Sequence, residues 1–338
     1  MMFNSHNELN KFFLEKVKLS EQQRSEMRKR RNTNRDRLDN GLVSNSSPQK
    51  VRNIIQGSYK MKTMIQRPDN DFDIDDGVVF TKDSLKGPSG GDKSALDARK
   101  MVLDALQDAR FKQEPKSLKN CVRVYYNEGY HIDIPVYREY VEDKKTFLEL
   151  ASTDWKVSDP TEIADWFEQQ VHNKSPQNDN IQMRRMVCLL KKWAKSRSSW
   201  GLPNGLIFSV YAADHYSPSE SRDDEAFIAL LSAIKNRLEY DKTVPNPIDT
   251  SEDFATGRES KITNLQNKLN DLLPDLIKTL QDSGCTKNKA MQAWSNFFSD
   301  DFFKQYMEEE GTGGNNSSLL ISGVPSSAVQ KQGQGRYA

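Results

Sequence analysis

The spacing of apolar residues divides the chain into a region of short strands and a region of long helices. Residues 51–55 are a β-type run, and in residues 71–75 acidic and apolar positions alternate with the period of two that is typical of a strand. Residues 121–126 and 130–136 are two more β-type runs. Turn-forming residues lie between them, so the pair predicts a β-hairpin.

Apolar residues at helical spacing dominate the rest of the chain. The predicted helices cover residues 7–39, 94–110, 181–197, 223–238, 258–281 and about 287–310. Two further helices are predicted to begin at Asp159-Pro160, where Asp is the N-cap, and at Asn204-Gly205. In the 94–110 helix, Leu96, Leu103 and Leu106 are expected to face inward. The order of elements predicts an α+β fold with a mixed-sheet lobe and a helical lobe.

Composition and charge exclude several classes of protein. Of 338 residues, 36% are hydrophobic, which is enough for a core, and the net charge of +1 argues against a protein that coats nucleic acid. The cysteines, Cys121, Cys188 and Cys285, are far apart without a CxxC motif, so we expect reduced thiols and no zinc site. No apolar run has the length of a membrane span, and we expect a cytoplasmic protein without a membrane partner.

The turn after the first strand is a candidate phosphate site. It reads Gln56-Gly57-Ser58, and small residues let the backbone approach a ligand closely while offering N–H groups and a hydroxyl.

The alternating acidic strand is a candidate metal site. Asp71, Asp73 and Asp75 share one face, where like charges repel unless cations neutralise them. Hard oxygen ligands favour Mg²⁺ or Mn²⁺, and Asp133 on the hairpin is a candidate third ligand for a two-ion site. A solvated loop or a calcium-binding turn is the alternative, which the absence of EF-hand spacing disfavours.

Longer strings of residues resemble one family. These are QGSYKMKT, DIDDG, HIDIPVY, SDPTEIADWF and the paired lysines near Trp193. Over roughly residues 50–215 they resemble the cGAS/DncV-like nucleotidyltransferases (CD-NTases) of bacterial CBASS anti-phage defence, a branch of the polymerase-β-type superfamily. The resemblance implies the two-lobed polymerase-β-like fold.

The resemblance also implies roles for individual residues. Asp73, Asp75 and Asp133 would be the catalytic residues and the ligands of two Mg²⁺ or Mn²⁺ ions, with Asp71 or Asp76 left open as a further ligand. Lys191, or Lys192 as the second choice, would hold the donor triphosphate. The expected nucleotide-binding set is Gln56, Gly57, Ser58, Lys191 and Asn204, the last because the N-terminus of its helix exposes N–H groups.

By this resemblance the chain joins NTPs, ATP expected among them, into a cyclic di- or trinucleotide that activates a downstream effector. Two alternatives stay open: a template-independent linear-oligonucleotide or tRNA-tailing polymerase, and a nucleotide-binding module with a decayed site. DNA is not expected to be an obligatory partner.

The expected domains are a helical arm (1–41), a catalytic core (42–150), a helical lobe (151–310) and a flexible tail (311–338). The basic residues of 24–37 either pack across both lobes or contact phosphate. The tail is compatible with attachment through a ubiquitin-transfer-like CBASS partner.

Overall fold

A computed structural model of the chain describes residues 1–67, 73–87, 89–126 and 129–308. Residues 1–307 form one compact unit with an α+β fold. Its mixed sheet consists of β1 (Arg52–Gln56), β2 (Asp73–Thr81), β3 (Lys116–Ser117), β4 (Val122–Tyr125), β5 (His131–Ile134), β6 (Val136–Glu142), β7 (Lys145–Ala151) and β8 (Trp155–Val157).

Strand β2 lies between β1, which is antiparallel to it, and the pair β5 and β6, which are parallel to it. Asp75 is opposite Asp133, and Val78 is opposite Val136 in the same register. Strands β5 and β6 therefore continue each other along β2 and are separated only by Pro135. The carbonyl of Pro135 still accepts a hydrogen bond from the Val78 N–H at 2.9 Å. The predicted hairpin is confirmed, because β4 pairs with β5 in antiparallel fashion.

The helices agree closely with the apolar spacing. They are α1 (His6–Phe12), α2 (Glu21–Ser44), α3 (Gly57–Lys60), α4 (Ala95–Ala105), α5 (Pro160–Lys174), α6 (Gln182–Lys195), α7 (Gly205–His215), α8 (Asp223–Tyr240), α9 (Glu259–Gln281) and α10 (Lys287–Phe298). The predicted N-cap Asp159 is confirmed, since it accepts a hydrogen bond from the Thr161 N–H, and the predicted helix start at Asn204-Gly205 is confirmed, with Asn204 accepting a hydrogen bond from the Ile207 N–H.

The prediction of one helix over residues 7–39 is wrong. After α1, a π-helical turn over Phe13–Val17 ends the first helix, and Lys18 is extended. Ser20 then begins α2 with a reciprocal capping box to Gln23, which satisfies two backbone donors at the new N-terminus. In the helix predicted for residues 94–110, Leu96 does not face inward, since its side chain is 45% exposed.

Two large apolar cores account for most of the buried side chains. One lies among the helices of the second half and includes Phe167, Trp193 and Trp294. The other lies between the sheet and helices α2 and α4. The arm contributes to both, with Phe12 in the first core and Leu38 in the second. Within the described residues, no helix has the length and apolar character needed to span a bilayer.

Candidate active site

A cavity of about 440 Å³ lies between the start of β2 and the helices α6 and α7. It brings together seven of the eight residues that the sequence singles out: Gly57, Ser58, Asp73, Asp75, Asp133, Lys191 and Asn204. Gln56 is the exception. Its side-chain oxygen accepts a hydrogen bond from the Tyr137 hydroxyl at 2.9 Å, so this side chain is used within the sheet.

The turn after β1 is held against the acidic strand. Gly57 has φ of +61°, in the left-handed region where only glycine is unstrained. A Cβ atom at this position would lie 2.0 Å from Oδ2 of Asp75. Glycine is therefore required both for the turn and for the close approach of the turn to the carboxylate.

The three aspartates come from two neighbouring parallel strands. Asp73 begins β2, and the β2–β5 register places Asp75 beside Asp133. The half-buried side chain of Asp75 makes no hydrogen bond or ion pair with any described residue. Burial, together with the nearby charges of Asp133 and Asp73, raises the pKa of Asp75 to about 7, while Arg123 opposes the shift.

Carboxylates are the donor type that a hard divalent cation takes, and three of them line this cavity, one without a partner among the described residues. Within the part of the chain that the structure describes, however, no three acidic, histidine or cysteine side chains are grouped closely enough to hold a metal ion. Arg123 holds both oxygens of Asp133, and Nε2 of His131 contacts Asp73. Arg123 therefore neutralises Asp133, and its guanidinium also lies 3.8 Å from Asp73.

Arg123 is the main residue of the site that the sequence reasoning missed. Its Nε and Nη2 atoms donate to Asp133 at 2.6 and 2.7 Å. A signal was present: in the strand Val122-Arg123-Val124 a charged residue interrupts buried apolar ones. In an antiparallel hairpin that residue lies opposite Asp133, as the structure shows.

Asp76 points away from the cavity, since successive residues of a strand face opposite sides. Its carboxylate is only 3% exposed and accepts two hydrogen bonds from Arg35 of α2, at 2.7 and 2.5 Å. It is thus an anchor for the arm, and this geometry excludes it from a metal site in the cavity. Asp71 lies outside the described residues.

Lys191 and Lys192 face different surroundings. Nζ of Lys191 donates to the Thr63 carbonyl at 2.5 Å and lies against Gly205, where a Cβ atom would be 3.1 Å from it. Burial lowers the pKa of Lys191 to about 8. Lys192 instead pairs with Asp300 at 3.4 Å, outside the cavity. The geometry favours Lys191 for contact with a ligand.

The N-terminus of α7 forms another wall of the cavity. The lining includes Asn204, Gly205 and Leu206, so the first turn of the helix faces the same cavity as the three aspartates. Arg67 and the exposed Lys195 add positive charge to the lining, which the sequence reasoning did not foresee. Together with Lys191, they give the cavity basic groups facing acidic ones.

The basic residues of the arm are partly committed to contacts within the chain. Besides the Arg35 pair, Arg37 donates to Asp108 at 3.0 Å, and the Arg30 guanidinium lies 4.6 Å from the centre of the Tyr130 ring. These contacts support the packed interpretation of the arm over a continuous phosphate-binding face.

Comparison with known proteins identifies this region. Residues 51–137 match the family model for the nucleotidyltransferase domain of cyclic GMP-AMP synthase DncV-like proteins. A cyclic GMP-AMP synthase of Escherichia coli is 24% identical in a match of 245 aligned positions that covers 58% of this chain. The matched region is 55% of that protein, so the chain spans about half the length of this curated relative.

Solved structures share the fold over most of the chain. DncV of Vibrio cholerae, a cyclic AMP-GMP synthase bound to the linear intermediate pppA(3′,5′)pG, superposes with a TM-score of 0.68 at 15% identity, covering 88% of this chain and 96% of that one. DncV of E. coli bound to 3′-deoxy GTP gives a TM-score of 0.64 at 16% identity, covering 86% and 94%. Residues 51–137 are thus similar to the nucleotidyltransferase domain of cyclic GMP-AMP synthase DncV-like proteins, and most of the chain shares the fold of DncV.

Proposed function

We propose that this protein joins NTPs, ATP among them, into a cyclic di- or trinucleotide second messenger. The observation that carries the proposal is the cavity in which a Gly-Ser turn, three aspartates and a half-buried lysine meet. Nucleotidyl transfer needs these parts, since a triphosphate must be gripped and an attacking hydroxyl must be activated beside it. The DncV structure with a linear intermediate supports a reaction in two successive steps.

The chain's own residues divide the work. The hydroxyl of Ser58 and the backbone N–H groups of its turn bind the donor phosphates. Lys191 adds a positive charge from the opposite wall, fixed by its hydrogen bond to Thr63. Burial lowers its pKa only to about 8, so the ammonium form still predominates at pH 7, and an arriving triphosphate stabilises that form further.

Asp73, Asp75 and Asp133 would hold two Mg²⁺ or Mn²⁺ ions, which supply activation of the hydroxyl and stabilisation of the pyrophosphate leaving group. Asp133 orients the attacking ribose hydroxyl and accepts its proton as that oxygen attacks the α-phosphorus. The apolar wall that includes Ile163 and Phe208 excludes water from the same space.

We further propose that the product acts in anti-phage signalling, where it activates an effector. Attachment of the C-terminus by a ubiquitin-transfer-like partner belongs to the same hypothesis. The tail that would be attached lies outside the described residues.

The test is incubation of the purified protein with ATP, GTP, CTP and UTP and either Mg²⁺ or Mn²⁺, followed by phosphatase treatment and mass spectrometry. Asp75→Asn keeps the size of the side chain and removes its charge, so it should abolish the product. Asp143→Asn is the matched control, since Asp143 is exposed in the turn between β6 and β7 and should tolerate the same change.

A phosphatase-resistant cyclic nucleotide that is absent only with Asp75→Asn would support the proposal and identify the bases. Linear, phosphatase-sensitive chains would favour the polymerase. Binding of NTPs without any product would favour the decayed module.

A further inference from the structure

The guanidinium of Arg123 is bound to the carboxylate of Asp133, which a divalent cation would need as a ligand. The backbone of Arg123 is fixed, because β4 pairs with β5 on one side and with Lys116 of β3 on the other. From there the guanidinium grips both oxygens of Asp133, and its Nη2 atom lies 3.8 Å from Asp73. One positive charge thus lies between two of the three aspartates of the cavity.

This arrangement neutralises the site but excludes a cation from part of it. A bidentate arginine uses lone pairs on both carboxylate oxygens, and its charge repels any cation that approaches the same group. Arg123 and a divalent ion at Asp133 therefore compete for one carboxylate.

The side chain of Arg123 has room to leave. It is 27% exposed, whereas the Asp133 side chain is 13% exposed. Rotation of the guanidinium toward solvent breaks no backbone hydrogen bond, because only the side chain moves.

We propose that Arg123 is a positioning residue that takes the place of the cation in the cation-free enzyme and releases Asp133 when a divalent ion binds. The proposal rests on the proposed two-ion function and deepens it. Before a cation binds, Arg123 keeps the carboxylates of β2 and β5 in place against their mutual repulsion, and its release makes the site responsive to the supply of cation.

The experiment measures Mn²⁺ binding without nucleotide, by electron paramagnetic resonance of free Mn²⁺, alongside thermal unfolding in EDTA and in saturating Mn²⁺. Arg123→Met removes the charge and keeps the length of the side chain. Arg123→Lys keeps the charge without the two-point grip. The control is Arg110→Met, which removes another bidentate contact, to Asp108, at an exposed position remote from the cavity.

We expect Arg123→Met to bind Mn²⁺ more tightly than the wild type, on the order of tenfold, because one repelling charge is removed. Its unfolding temperature should fall in EDTA and recover in Mn²⁺. Arg123→Lys should bind with intermediate affinity, and Arg110→Met should bind as the wild type does.

A merely structural arginine would lower the unfolding temperature without raising Mn²⁺ affinity, and that result would overturn the inference. If Arg123→Met does not fold, Arg123→Lys is the test. Mn²⁺ affinity of Arg123→Lys equal to or weaker than that of the wild type would then overturn the inference. If the wild type makes cyclic product but neither variant binds Mn²⁺ more tightly than the wild type does, the inference about Arg123 is refuted and the proposed function is not. A wild type that neither binds Mn²⁺ nor makes product refutes the proposed function as well.

Discussion

The close contact between Gly57 and Asp75 allows a prediction for Gly57→Ala, which adds a single methyl group. In Gly57→Ala the new Cβ atom would lie 2.0 Å from Oδ2 of Asp75, a distance that real Cβ atoms do not adopt, since they stay beyond 3.0 Å. Either the carboxylate or the turn must therefore move by about 1 Å. Both groups are parts of the proposed catalytic geometry.

The expected effects on activity and on stability are of different size. A misplacement of about 1 Å in a reacting group can reduce the rate by roughly 100-fold. The left-handed backbone at φ of +61° costs an alanine only about 1 kcal/mol more than a glycine. We thus expect a large loss of kcat in a protein that remains folded.

The assay compares kcat for cyclic product with the unfolding temperature, using Gly257→Ala as the control. Gly257 has a similar φ of +71°, but no atom lies within 4 Å of the position that the new methyl group would take. This control should lose a similar amount of stability and retain wild-type kcat. If Gly57→Ala keeps kcat within about threefold of the wild type, far from the roughly 100-fold loss expected for a displaced group, the turn does not position Asp75, and the reasoning fails.

Three further predictions follow from the charged contacts. Arg35→Met leaves the buried Asp76 carboxylate without its guanidinium partner, so the free energy of unfolding in urea should fall by about 2–4 kcal/mol. The double variant Arg35→Met/Asp76→Leu should recover most of this loss, and a double variant as unstable as the single one would contradict the prediction. Lys191→Ala should raise KM for the donor NTP on the order of tenfold or more, whereas Lys192→Ala, whose ammonium faces Asp300, should leave it within about twofold. Because the pKa of Lys191 is lowered to about 8, it is protonated below that pH and neutral above it, so KM should rise above pH 8 in the wild type and stay level in Lys191→Arg.

Much of this site was predictable because its signals are local. A glycine and a serine after a strand, aspartates at a period of two, and an Asn-Gly helix start each depend on a few adjacent residues. The hairpin with Asp133 was also accessible, since its turn and its two strands are consecutive in the chain.

The parts that escaped prediction depend on contacts between distant segments. The parallel register that sets Asp75 beside Asp133 joins strands about 58 residues apart, and apolar periodicity carries no information on such pairing. The contact from Lys191 to the Thr63 carbonyl spans 128 positions. The sequence does not show which arginine of α2 contacts Asp76, because the packing of α2 on the sheet determines that Arg35 does so.

Because the arm contributes to both cores, it affects which fragments of this protein can be made for experiments. The match to the family model begins at residue 51, yet Leu9, Phe12 and Val17 are fully buried among the later helices, and Met27 and Leu42 are fully buried against the sheet. A fragment limited to residues 51–137 would lack the arm and the later helices, so the apolar face of the sheet that Met27 and Leu42 cover would be exposed. The segment that matches the family model is therefore shorter than the segment that shares a core, and any fragment made for expression should retain the residues that precede it.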